Sequence, residues 1–302
     1  MSPTIESPVT VETASKPAAP SPRPPRPVLP DGAESRLGAR PAHGLRRFLA
    51  SVAWAGVGFA VFAALWQLAA WRAPDLPTPS ETFDRLRSLL GDPFYDKGPN
   101  DKGVGRHALL SLQKVGTGFA AAAIVGIPLG ISMGASSRAW RAMNPLVQLL
   151  RPVSPLAWFP IALAASSDSW RAGIMVIFVT ALWPTVVSTA AAAAAIPPEQ
   201  LDVARVFQFG RVARLRHILV PNALPGIFTG LRLSMGIAWM VIVAVEMLSS
   251  NGAGLGFFVW DSYNTGSVVN VSATIGIIGI IGVALDMFFL RFARHFTQEA
   301  SA

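Results

Sequence analysis

The chain has 302 residues, of which 52% are hydrophobic and only 14% charged, with a mean hydropathy of +0.45. Soluble domains carry about 25% charged residues, so this composition excludes an ordinary soluble fold and points to a chain that meets lipid. The net charge of +8 fits basic residues gathered on the cytoplasmic flanks of membrane spans, and the absence of cysteine excludes disulfides, thiolate metal sites and a cysteine nucleophile.

Residues 1 to 44 are rich in Pro, Ala and Ser and show no apolar period, which predicts a disordered cytoplasmic tail. Arg46 and Arg47 then precede Phe48 to Trp71, 24 residues without a charge. At about 1.5 Å per residue such a helix reaches roughly 36 Å and crosses a bilayer. The rival reading is a secretory signal, but the apolar core of a signal is only about 7–15 residues. The next loop opens Pro-Asp-Leu-Pro-Thr-Pro-Ser-Glu-Thr-Phe, where Ser80 is expected to cap a short amphipathic helix carrying Phe83, Leu86, Leu89 and Leu90 at the outer interface.

Five more spans are expected, at about 110–134, 145–165, 172–195, 222–249 and 272–290, so that 45–302 forms one transmembrane domain. The third is broken by Pro152, Pro155 and Pro160, tolerable at membrane depth where neighbouring helices or water satisfy the freed carbonyls. Six spans put both termini on one side. Counting Lys and Arg on the two sides gives fifteen against seven, which predicts cytoplasmic termini. The alanine run 190–195 and the glycines of 276–282 are small-residue faces suited to close helix packing.

Between spans four and five lies an amphipathic segment from Ile196 to Pro221, in which Val203, Val206, Phe207 and Gly210 recur at helical spacing behind Pro197 and Pro198. On periodicity alone it either docks into a partner or lies on anionic headgroups. Its pattern, however, resembles the coupling loop of ABC importer permeases, an acid-Ala-Ala motif followed by a glycine and Ile-x-Leu-Pro. Asp202, Ala204, Ile218 and Pro221 match, while Val203 stands for the first alanine, Val220 for the leucine and Gln208 for the glycine, with Gly210 nearby. The resemblance extends over about 48–295 and is closest to the nitrate/sulfonate/taurine/bicarbonate class, within it to the nitrate branch.

That resemblance implies an all-α, polytopic membrane protein, the six-helix bundle of a type I ABC importer permease in the inner membrane. It implies a role in importing a small anion, nitrate or nitrite first, with sulfonate or taurine, bicarbonate and cyanate as alternatives. It further implies cytoplasmic ATPase subunits, which the 196–221 loop would contact, an external solute-binding protein, a second permease copy and no cofactor on this chain. The sequence by itself holds no G-x-x-x-x-G-K-[ST] frame and so no P-loop for ATP phosphates; together with the resemblance this implies that ATP and Mg belong to partner subunits and that the chain is a transport subunit, not an enzyme. An ion-driven secondary transporter would leave the coupling loop unexplained.

Charged residues inside apolar spans are costly and mark candidate sites. Arg151 lies in the broken span, and with Gln148 and Ser154 it could line an anion path. Arg232 is either a second attractor or the ion-pair partner of Asp286. Glu246, near the outer end of span five, is expected to serve structure or docking, and Trp239 is the mid-span tryptophan best placed for the path. No histidine cluster or metal motif is present.

Overall fold

A computed structural model describes residues 42–98, 102–197, 199–200, 202, 206–249 and 254–299. The chain divides into two units, Met1–Ala60 and Val61–Ala302. The described part of the first is helical; residues 1–41 of the expected tail lie outside the described residues, and its last three, 42–44, already belong to a helix. Among the described residues five helices are long and apolar enough to cross a membrane, or six if one bent pair counts as a single span.

Helix α1 covers Ala42–Arg72 and α2 covers Pro79–Gly91. The cap of α2 is Thr78 rather than Ser80: Pro79 takes the first helical position, and a reciprocal capping box joins Thr78 to Glu81. The Thr78 amide donates to Glu81 Oε2 at 2.8 Å, and the hydrogen bonds with Thr78 hold the Glu81 carboxyl below its ordinary range. Because the folded value is depressed, this cap contributes above the ordinary carboxylate range and is lost as pH falls through the lowered value. Leu89 is buried and Leu86 packs on the core, whereas Phe83 and Leu90 are exposed, so α2 lays one apolar edge on the bundle.

The centre of the fold is α3 (Val104–Ala135), α6 (Ser169–Ala194) and α7 (Val220–Leu248), which share a core of small and branched side chains. Close approach of α3 and α6 depends on missing side chains. A Cβ on Gly130 would lie 2.6 Å from that of Thr189, and one on Gly118 would lie 2.7 Å from that of Ile177. Ala190 and Ala193 are buried in the same contact region, so this part of the alanine run packs within the bundle. Helices α8 (Leu255–Asn264) and α9 (Val268–Glu299) complete the flank, with α2 against α9.

Two expected spans change shape. What reads as a loop at 135–144 followed by a third span is α4 (Ser137–Leu150), a 3₁₀ turn at Pro155–Trp158 and α5 (Phe159–Ser166), bent by 93°. Pro152 cannot prolong α4, while Pro155 and Pro160 each sit in a first turn where a missing N–H costs nothing. The fifth span begins ten residues before its expected start, as part of a candidate span over Val212–Leu248. Pro221 reads as a boundary, yet a π turn at Leu215–Leu219 widens the helix there and keeps the preceding carbonyls clear of its ring.

Candidate functional site

The sequence-expected residues separate into three places. Arg151 and Ser154 line a groove of about 320 Å³ between the bend and the α6 and α7 helices, together with Trp158, Thr180, Trp183 and Ser188. Gln148 is exposed on α4 and does not line it. Among the described residues no acidic side chain lines this groove and Arg151 makes no ion pair. The indole Nε1 of Trp183 is buried and has no hydrogen-bond partner. An unmatched donor of that kind costs about 1–3 kcal/mol, so its presence in a lined groove calls for a reason.

Arg232 and Trp239 are elsewhere. Arg232 donates from Nε and Nη2 to the two carboxylate oxygens of Asp286 at 2.5 and 2.6 Å, the bidentate geometry of a guanidinium fork. Trp239 is 5% exposed, donates from Nε1 to the Ile278 carbonyl at 3.0 Å and covers Gly282. The structure therefore does not bring either residue together with Arg151.

Glu246 occupies a third place, a polar cluster that sequence reasoning only half identified. Its side chain is 1% exposed and pairs with Lys114 Nζ at 2.9 Å. Ser111 Oγ donates to Glu246 Oε2 at 2.7 Å, and the Gly256 amide donates to the same oxygen at 3.1 Å. Two further amides at the start of α8 are also met by side chains of α3: Leu255 N–H by Ser111 Oγ at 2.9 Å and Gly254 N–H by His107 Nδ1 at 3.2 Å. The Lys114 ammonium lies 5.0 Å from the centroid of the Trp170 ring. Helix starts leave amide donors unpaired, and here three are satisfied by residues far apart in sequence, which fixes α8 onto α3 and α7. The missed signal is the spacing His107, Ser111, Lys114, four and three apart, which puts all three on one helix face within an apolar span.

Glycine is required at both ends of this arrangement. Gly254 has φ +115°, and a Cβ there would collide with the Glu246 carboxylate. A Cβ on Gly256 would collide with the Val243 carbonyl oxygen, whereas one on Gly279 would meet nothing within 4 Å. Gly256→Ala is therefore expected to lower stability by about 1–3 kcal/mol, and Gly279→Ala to be neutral or slightly stabilising. Thermal unfolding of the two purified variants, compared side by side, checks this.

The coupling-loop residues present a different surface. Asp202 and Gly210 are exposed, Ile218 is buried with Ile196 and Leu219 in a small separate cluster, and Pro221 is half-buried; Val203 and Ala204 lie outside the described residues. Gln208 adopts φ +51°, a left-handed residue at the position where the resembled motif carries glycine. Around it Val206, Phe207 and Val212 are 78%, 70% and 77% exposed.

The family described as "Binding-protein-dependent transport system inner membrane component" matches residues 126–301. The nitrate import permease protein NrtB of Synechocystis sp. is 42% identical over 233 residues, covering 77% of this chain and 84% of the relative. The bicarbonate transport system permease protein CmpB of Synechococcus elongatus is 39% identical over 259 residues, covering 84% and 93%. The taurine transport system permease protein TauC of Escherichia coli is 29% identical over 222 residues, covering 74% and 79%. Among solved structures, the MetNI methionine ABC transporter in inward-facing conformations superposes with a TM-score of 0.55 at 17% identity, over 64% of this chain and 95% of that chain, a likeness of fold.

Proposed function

Because the chain belongs to the family of binding-protein-dependent transport system inner membrane components, we propose that it forms half of the pathway of an importer for a small monovalent anion, nitrate first. The observation that carries this is Arg151, which among the described residues has no ion-pair partner and lies in a groove lined by no acidic side chain. A small anion that sheds part of its water needs a positive field and a few donors, and Arg151 with Ser154 supplies both. The identities to nitrate permeases support nitrate, and those to bicarbonate permeases, at 39%, make bicarbonate the second reading, another small oxyanion of single charge.

On this reading a second copy of the chain completes the pathway, ATP and Mg are bound by separate cytoplasmic ATPase subunits, and a solute-binding protein delivers the anion from outside. Both termini face the cytoplasm, and residues 1–40 are dispensable for uptake. Arg232 with Asp286 and Trp239 with Ile278 then hold α7 to α9 rather than line the path. The exposed apolar side chains around Gln208 are the surface that an ATPase subunit covers, since isolated apolar groups of this size gain most by burial against a partner.

Reconstituting the chain with its ATPase and binding protein in proteoliposomes, and measuring uptake of labelled nitrate, bicarbonate and taurine, tests the reading. ATP-dependent nitrate accumulation is expected; accumulation of taurine alone would refute it. Phe207→Asp is expected to leave the permease inserted in the membrane while reducing ATPase co-purification and uptake about tenfold or more, because it puts a charge into an apolar contact. Retention of both at parental levels would remove this surface from coupling.

A further inference from the structure

The groove that holds Arg151 contains a second polar group that neither the motif nor the relatives' names assign. Trp183 lines it, from the middle of α6, and its indole Nε1 is buried without a partner. The other tryptophan held for structure in this fold, Trp239, donates to a backbone carbonyl, and Trp66 does the same to Pro77 at 3.0 Å. Structural tryptophans in this chain thus find acceptors close by. Trp183 does not, although the hydroxyl-bearing residues Ser154, Thr180 and Ser188 line the same groove.

Its chain neighbour is Pro184, which has no amide hydrogen and so leaves the Thr180 carbonyl without its helical partner. The turn that carries the indole therefore lacks one helical hydrogen bond, and a rotation about the Trp183 side-chain bonds would be needed to bring Nε1 to the groove. Indole can only donate, never accept. An unpaired donor in the wall that also carries a guanidinium, with no acidic side chain lining the groove among the described residues, is matched by a negatively charged group and not by a cation.

Resting on the reading above, we propose that Trp183 is a second anion-binding residue of the translocation groove, its indole N–H donating to an oxyanion whose charge is held by Arg151. The charge count sets the class. Among the described residues Arg151 is the only formally charged side chain lining the groove, whose lining also includes the indoles Trp158 and Trp183 with Pro152, Pro155 and Pro184. One guanidinium and a neutral donor suffice for a weakly hydrated monovalent oxyanion and fall short for a divalent one, whose desolvation demands more charge. The neutral donor also lets the ion leave, since it adds direction without a second full charge.

The test uses the assembled importer with its binding protein, in proteoliposomes, with nitrate as the probe. Trp183→Phe keeps an aromatic ring and deletes the N–H. The nitrate moved per ATP hydrolysed is expected to fall about tenfold, the effect of one hydrogen bond to a charged group. A role confined to packing would lower complex yield and leave nitrate per ATP at the parental value, and that outcome overturns the proposal while leaving the importer reading intact. Benzothienylalanine at 183, which has the shape of the indole with sulfur in place of N–H, repeats the comparison where Phe fails to assemble. A parental complex that hydrolyses ATP on meeting the loaded binding protein and moves no nitrate or bicarbonate overturns the importer reading itself.

Discussion

Lys114→Met is expected to destabilise the protein by about 3–5 kcal/mol, the usual result of removing one partner of a buried ion pair. The magnitude follows from burial: the Lys114 and Glu246 side chains are 4% and 1% exposed, so no water takes the place of the ammonium. The carboxylate that remains still accepts from Ser111 and from the Gly256 amide, which orients it without neutralising it. Glu246→Gln in the same chain should restore much of the loss, because a neutral amide oxygen can keep both acceptor roles. The double variant is therefore expected to be more stable than Lys114→Met alone, a reversal that simple loss of packing does not produce. Thermal unfolding in detergent of the parent, the single and the double variant measures it. A double variant no better than the single would show that the pair acts through shape and not through charge.

The cluster also explains where sequence reading succeeds and fails. Helix number and rough position are legible because a span is a composition property: about 20 apolar residues at 1.5 Å each cannot be hidden. Breaks are less legible. Pro152 and Pro155 mark a bend of 93°, but Pro221 and Pro225 lie in one uninterrupted helical run, because a π turn upstream absorbs the first. A proline reports that a hydrogen bond is missing; which neighbour makes room for it is decided by packing.

The same limit applies to the sites. Glu246 and Asp286 are visible in sequence as charges in apolar spans, and the Arg232–Asp286 pair is one of two readings that antiparallel geometry allows. Lys114 is equally visible, yet its partner stands 132 residues away, and only the contact of α3 with α7 joins them. Trp183 is illegible for a different reason. Tryptophan in a membrane span is ordinarily packing, and the property that separates it from Trp239 is the absence of an acceptor, which exists only in three dimensions.

Arg151→Gln is expected to lower anion uptake roughly 10- to 150-fold, corresponding to about 1.5–3 kcal/mol for a hydrogen bond to a charged group, at equal amounts of assembled complex. Arg151 follows the last turn of α4, where its amide donates to the Val147 carbonyl at 2.9 Å, and the backbone then breaks at Pro152. A side chain rooted at the end of a helix and free of ion pairing can follow an anion along the groove, which a bidentate structural arginine such as Arg232 cannot. Glutamine retains two donors on a shorter side chain, so the variant removes the charge together with part of the reach. Folding should be untouched, since no carboxylate is left unpaired by the change. The corresponding substitution at Arg232 should do the reverse: it strands Asp286, lowers the yield of complex and leaves uptake per complex near the parental value. Uptake and assembled complex measured together for both variants separate a path residue from a structural one, and normal uptake per complex in Arg151→Gln would remove Arg151 from the pathway.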